Sequence, residues 1–209
     1  MFEFIDRFMT DGGDFMWVIL MVFLTGLGLS FYKFFQLRSL DINGAKLFDT
    51  IKGHVLKNDV ENALNICAGS KAVLPRILRS GLKRANEDRI LVEDAISTSI
   101  MEHTPKLTYQ LNYISLIANT STLIGLLGTI QGLIVSFAGV AGASENKAQA
   151  LADGIAKAMN TTAFGLVSAI IIMALHTFLA SKANRINDKV DEVSAKLIDL
   201  LSIKKRAAK

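Results

Sequence analysis

The sequence predicts an all-α integral membrane protein with three transmembrane helices, the second and third extended into the cytoplasm. Three observations carry that class. Leu107 to Ser144 contains no Lys, Arg, Asp or Glu, and Ala158 to Ser181 is a second uncharged run. A helix needs roughly 20 mainly apolar residues to cross a bilayer core, so each run is long enough to span. The polar break between them holds Glu145, Lys147 and Asp153 and is too short for a folded domain, which makes the pair an antiparallel hairpin. Of the 23 Lys and Arg residues, 12 fall between Lys33 and Lys106 and 8 between Lys182 and Lys209. Such clustering is the positive-inside bias of a membrane protein, provided both segments face the cytoplasm.

Other classes are excluded by what the 209 residues contain. A net charge of +4 is not a nucleic-acid footprint when it is confined to two membrane-flanking segments. The single Cys67 allows no internal disulfide and is read as a packing residue. Three scattered histidines argue against a metal site. Gly44, Gly53, Gly69 and Gly81 are isolated, and no Gly-rich turn carries Lys-Ser/Thr, so no nucleotide or other cofactor is expected. With no carboxylate pair, nucleophile–base pair or metal cluster, the chain does not read as an enzyme.

In order, residues 1–14 read as an outer interfacial segment. Phe2, Ile5, Phe8 and Met9 share a helical face there, and the acidic Glu3, Asp6, Asp11 and Asp14 are unlike a signal-peptide start. Residues 15–36 form the first transmembrane helix, with Trp17 and Tyr32 as interface anchors and Lys33 and Arg38 beyond its far end. That asymmetry places the N-terminus outside, and three crossings then leave the C-terminus inside.

Residues 37–106 read as a cytoplasmic helical region. Asp59 can cap a helix closed near Gly69, Pro75 suits the first turn of the next, and a longer helix from about Glu87 is interrupted near Pro105. Residues 107–144 are the second transmembrane helix, 145–153 a periplasmic loop and 154–181 the third helix. Residues 182–209 form a cytoplasmic helical tail, where Ile186, Val190, Val193, Leu197 and Leu200 recur as a heptad-like stripe. The stripe packs either on neighbouring helices or on the chain's own core.

Within the hairpin, Gly125, Thr129, Gly132 and Ser136 share one face at about 100° per residue, with Gly128 beside them. Ala158, Thr162, Gly165, Ala169 and His176 form the corresponding face of the third helix. Small residues of this kind are helix-packing seams in membranes. No carboxylate lies in the apolar interior of any crossing. Thr can hydrate a proton path but cannot titrate near neutral pH, so a proton conductor of this composition needs an acid from another chain.

Gly125-Leu-Leu-Gly-Thr-Ile-Gln-Gly-Leu-Ile-Val-Ser-Phe137 resembles the second membrane helix of the MotA/TolQ/ExbB proton-channel family. Gly154-Ile-Ala-Lys-Ala-Met-Asn-Thr-Thr-Ala-Phe-Gly-Leu-Val167 resembles its third helix. The layout is most similar to the three-crossing ExbB/TolQ branch. The resemblance implies a homo-oligomeric ring, a pentamer, around single-crossing helices of an ExbD/TolR-type partner whose Asp takes up protons. It implies a stator subunit of a proton-motive-force-driven motor in a bacterial inner membrane, transmitting force to the periplasm or outer membrane. Thr129 and Thr162 then line the pore, with Thr161, Asn160, Ser136 and His176 as pore neighbours. Lys157 stands where ExbB and TolQ commonly carry Glu. With Asp153 one turn away it sets the charge of the outer mouth, either pairing with that Asp or snorkelling among membrane lipids. Thr122 and Ile171 replace prolines typical of the family, so the kinks those prolines cause are expected to be absent. The alternative is a non-conducting scaffold that assembles a partner complex through its glycine faces.

Overall fold

The computed structural model describes residues 14–70, 72–142 and 147–207. The interfacial helix expected over 1–14 lies almost wholly outside them. Among the described residues the structure is entirely helical: α1 (Asp14–Leu40), α2 (Gly44–Leu56), α3 (Val60–Ala68), α4 (Val73–Lys83), α5 (Arg89–His103), α6 (Pro105–Gly142) and α7 (Lys147–Ala207). Three helical stretches are long and apolar enough to cross a membrane.

The chain divides into two compact units, the first made of Met1–Tyr32 and Leu111–Phe178. In this unit α1 lies against the α6–α7 hairpin. A Cβ at Gly26 would stand 2.7 Å from the Ile172 side chain and 3.0 Å from that of Ile117, so a larger residue there would have to push both aside. At Gly128 the neighbours are Thr161 and Phe15. Eleven residues separate Gly26 from Phe15, Ile117 from Gly128 and Ile172 from Thr161. The three helices therefore keep a common register over about 16 Å.

The second unit comprises Lys33–Gln110 and Leu179–Lys209. Asp59 caps α3, its carboxylate accepting from the Asn62 backbone N–H at 3.3 Å and side-chain amide at 2.6 Å. Those bonds, with His54 nearby, hold its carboxyl below the usual range. Gly69 closes that helix. Asn58 takes φ 60° just before it, a left-handed position that Asn tolerates. Pro75 sits in the first turn of α4, where its missing N–H costs nothing. Pro105 cannot donate into the end of α5 and starts α6 instead.

The α7 stripe packs on the chain's own core. Gly44 lies beside Leu74 and Val193, and Gly81 beside Ile96 and Leu197. Ile186, Val190, Val193, Leu197 and Leu201 are its buried positions. Leu200 is only half-buried, because a straight α-helix drifts out of a strict heptad. Lys33 is fully buried and donates to Gln36 Oε1 at 2.9 Å and to the Lys106 carbonyl at 3.2 Å. Lys182 lies 5.0 Å from the Phe34 ring centroid. The Lys33 end of α1 is thus tied to the start of α6 and to α7.

Residues 147–153, expected within a loop, are the opening turns of α7. Lys-Ala-Gln-Ala-Leu-Ala are all strong helix formers. Gln149 also donates to Asp153 one turn on, at 2.9 Å. The charges there mark the outer face of a helix, not a turn. α6 and α7 run without interruption through Thr122 and Ile171, where proline was expected to be missing.

Candidate functional site

The site lies along the seam between α6 and α7, where residues spaced three and four apart meet antiparallel. Ser121 donates from α6 to the Gly165 carbonyl at 3.3 Å. Gly165 rests against Gly125 so closely that a Cβ would fall 2.9 Å from Gly125 Cα and 2.9 Å from the Ser121 carbonyl. Further out, Gly132 faces Ala158, and Ser136 faces Gly154. Gly125, Gly128, Gly132 and Gly165 are therefore spent inside the hairpin of a single chain. Close backbone approach is the gain glycine offers where lipid provides no hydrophobic drive between helices.

Thr129 and Thr162 meet in the middle of this seam. Their hydroxyls are hydrogen-bonded to each other. Thr162 also donates to the Gly125 carbonyl at 2.8 Å, and Thr129 reaches the same oxygen at 3.3 Å. Each hydroxyl has one proton to donate and two lone pairs. One hydroxyl proton goes to the Gly125 carbonyl and the other joins the two threonines, whichever of them donates, so the free capacity of the pair is lone pairs. The pair in this arrangement accepts hydrogen bonds, from water or from a protonated carboxyl group. To donate to a carboxylate, one of the two hydroxyls must first turn away from its present acceptor.

The depth of the pair follows from the shared register. Phe15 is level with Gly128 and Thr161, so Thr129 and Thr162 lie level with the first turn of α1. Trp17, exposed on α1, is an interface anchor at that end. The apolar length of α1 lies wholly to one side of the threonines. The hairpin continues some 13 residues past them on α6, about 20 Å.

The remaining predicted residues are placed as follows. Thr161 is buried, donates to the Lys157 carbonyl at 2.9 Å and packs on Gly128. Ser136 is buried and donates to the Gly132 carbonyl at 2.6 Å. Asn160 is half-buried. His176 is half-buried and about 21 Å along α7 from Thr162, so the two are not brought together. Asp153 and Lys157 do not form an ion pair; the Asp153 carboxylate accepts from Gln149 instead. Lys157 lines a recess of about 290 Å³ with Gln131, Ser136 and Phe15.

Sequence reasoning overlooked Ser121 and Gly154. Ser121 stands four residues before Gly125, on the face already recognised. No group of three or more His, Cys, Asp or Glu is placed to hold a metal among the described residues.

Comparison with known proteins decides the family. A model of the MotA/TolQ/ExbB proton channel family matches residues 69–192, more than half of the chain. The chain belongs to this family. The match takes in both hairpin motifs together with α4 and α5. A biopolymer transport protein ExbB homolog of Methanothermobacter thermautotrophicus is 26% identical over 184 residues, covering 88% of this chain and 64% of that protein. The biopolymer transport protein exbB1 of Vibrio cholerae is 36% identical over 125 residues, 59% of this chain and 55% of its own length. The Tol-Pal system protein TolQ of Pseudomonas aeruginosa is 34% identical over 90 residues, 43% of this chain and 39% of its own length. The chain thus matches less than two thirds of the length of each relative. As a family member with three spanning helices, it is a multi-pass membrane protein.

Proposed function

We propose that this chain is the ring-forming subunit of a proton-motive-force-driven complex in a bacterial inner membrane. It works as a homo-oligomer, a pentamer, with an ExbD/TolR-like single-crossing partner, and passes force to the periplasm or outer membrane. Met1 lies outside and the second unit inside. The observation that carries the reading is the Thr129–Thr162 hydroxyl pair in a hairpin whose uncharged runs contain no acid. The pair can serve a proton path only beside a carboxyl group from another chain, and its accepting geometry suits that group in its protonated form. Burial of the hairpin glycines within one chain weakens the passive-scaffold reading, which needs those faces for assembly.

The test is proton flux into vesicles containing the chain and the single-crossing protein encoded beside it. Replacing both Thr129 and Thr162 by Val keeps shape and removes the hydroxyls. An unmade hydrogen bond in a desolvated site costs about 1–3 kcal/mol. Flux is expected to fall roughly 5- to 150-fold at about 1.4 kcal/mol per tenfold, with the oligomer intact. Unchanged flux in the double variant refutes the pore assignment. A wild-type complex that never conducts under a membrane potential supports the scaffold.

A further inference from the structure

Lys33 is the only charged residue that is buried among the described residues, and its two hydrogen-bond acceptors are both neutral. An ammonium carries three protons. One goes to Gln36 Oε1 at 2.9 Å and one to the Lys106 carbonyl at 3.2 Å, which leaves the third without a protein acceptor among the described residues. The residue is 0% exposed, so no side chain beyond those already packed on it can reach Nζ. A second orphan stands beside the first. The Lys106 carbonyl that Lys33 contacts is, in an α-helix, the one facing the Gln110 N–H. Gln110 is also two turns before Ile117, on the face of α6 that meets α1 at Gly26. Its Oε1 is buried and has no hydrogen-bond partner among the described residues.

One orphan has a proton to give and the other a lone pair to receive one, and this complementarity identifies the ligand. An anion could accept from Lys33 but has no proton for Gln110. A metal cation is repelled by the ammonium. A water molecule can accept from one and donate to the other, and it relieves the desolvation cost of both. We infer that one water molecule is bound inside the protein here, accepting from Lys33 Nζ and donating to Gln110 Oε1. Lys33, Gln36 and Gln110 are long and unbranched, and a turn of their rotamers admits about 30 Å³, one water's share of liquid volume. The water completes the shell of the ammonium, so that Lys33 stays charged inside the fold without a counter-ion. It also joins α1 to the second turn of α6.

The test uses the full-length protein in detergent and needs neither a partner nor proton flux, so its failure and failure of the proposed function are distinguishable. Gln110→Leu nearly keeps volume and helix propensity while removing the acceptor. With the water bound, this substitution breaks the bridge and should lower the unfolding temperature. If Oε1 is a true orphan, the same substitution removes an unpaired buried group and raises that temperature, which overturns the proposal. In a Lys33→Met background the bridge has lost its donor, so Gln110→Leu should there be neutral or stabilising. An effect of the same sign and size in both backgrounds overturns the proposal as well. An image reconstruction that resolves ordered water should show density within about 3.2 Å of both Lys33 Nζ and Gln110 Oε1. Direct contact between those two atoms, with no such density, overturns it. So does an unfolding temperature that rises when bromide replaces sulfate at constant ionic strength in wild type but not in Lys33→Met, which assigns the site to an anion.

Discussion

Thr162 donates to the Gly125 carbonyl from across the hairpin at 2.8 Å, whereas Thr129 reaches the same oxygen from its own helix at 3.3 Å. The two threonines are therefore not equivalent. Thr162→Val removes an interhelical bond and should cost about 0.6–1.7 kcal/mol of stability, the range for such bonds in membranes. Thr129→Val removes a bond within one helix and should cost less. Because the hydroxyls also bond to each other, the double variant should be less destabilised than the sum of the singles. Denaturant unfolding in detergent measures all three; strict additivity would mean that the hydroxyl contact does not exist in solution.

The glycines divide by what surrounds them. Gly165→Ala drives a Cβ into the backbone of Gly125 and Ser121, which cannot rotate away. It should separate α6 from α7 and lower the unfolding temperature sharply. Gly139→Ala and Gly28→Ala open onto empty space and should stabilise their helices by up to about 1 kcal/mol each. A thermal shift assay ranks the three, and equal behaviour would contradict the seam.

Cys67 is buried, and burial pushes its thiol up to about 11 from an ordinary value of 9.0. A raised folded value means that the protein is fully favoured below pH 9 and loses stability as pH rises towards 11. Maleimide should leave Cys67 untouched at pH 7 in folded protein and modify it on unfolding. Rapid labelling at pH 7 would place the thiol at the surface.

That silence makes Cys67 compatible with sided labelling. Ala148→Cys and Asn86→Cys are both at exposed positions, in the first and second units respectively. An impermeant maleimide added to intact cells should modify the first and not the second. The opposite pattern would reverse the proposed orientation and with it the two ends of the pore.

The helices were legible because their signals are local. Uncharged runs mark α6 and α7, Asp59 and Gly69 bracket α3, and Pro75 and Pro105 stand at helix starts. The hairpin face was legible from the spacing of Gly125, Thr129, Gly132 and Ser136. What that face touches was not, since a small-residue stripe fits its own hairpin and a neighbouring copy equally well. His176 shows the limit of periodicity, because a shared face says nothing of distance along the axis. The Asp153–Lys157 pair failed for a related reason: four-residue spacing permits an ion pair, but Gln149 competes for the same carboxylate. The buried Lys33 gave no signal, for a lysine after an apolar run reads as a solvated end.

The apolar run that opens at Phe15, directly after Asp14, has a consequence for the bilayer. Its apolar stretch, residues 15–32, is about 27 Å long and suits a thin hydrocarbon layer. On α6 the exposed Ile134, Val135 and Phe137 lie beyond that height. One copy alone therefore presents lipid with two hydrophobic thicknesses, and the surrounding membrane must deform to wet both. In the oligomer proposed above, turning the tall flanks of the copies towards one another would remove that hydrophobic mismatch. Membrane thickness would thereby become a force that favours the proposed assembly.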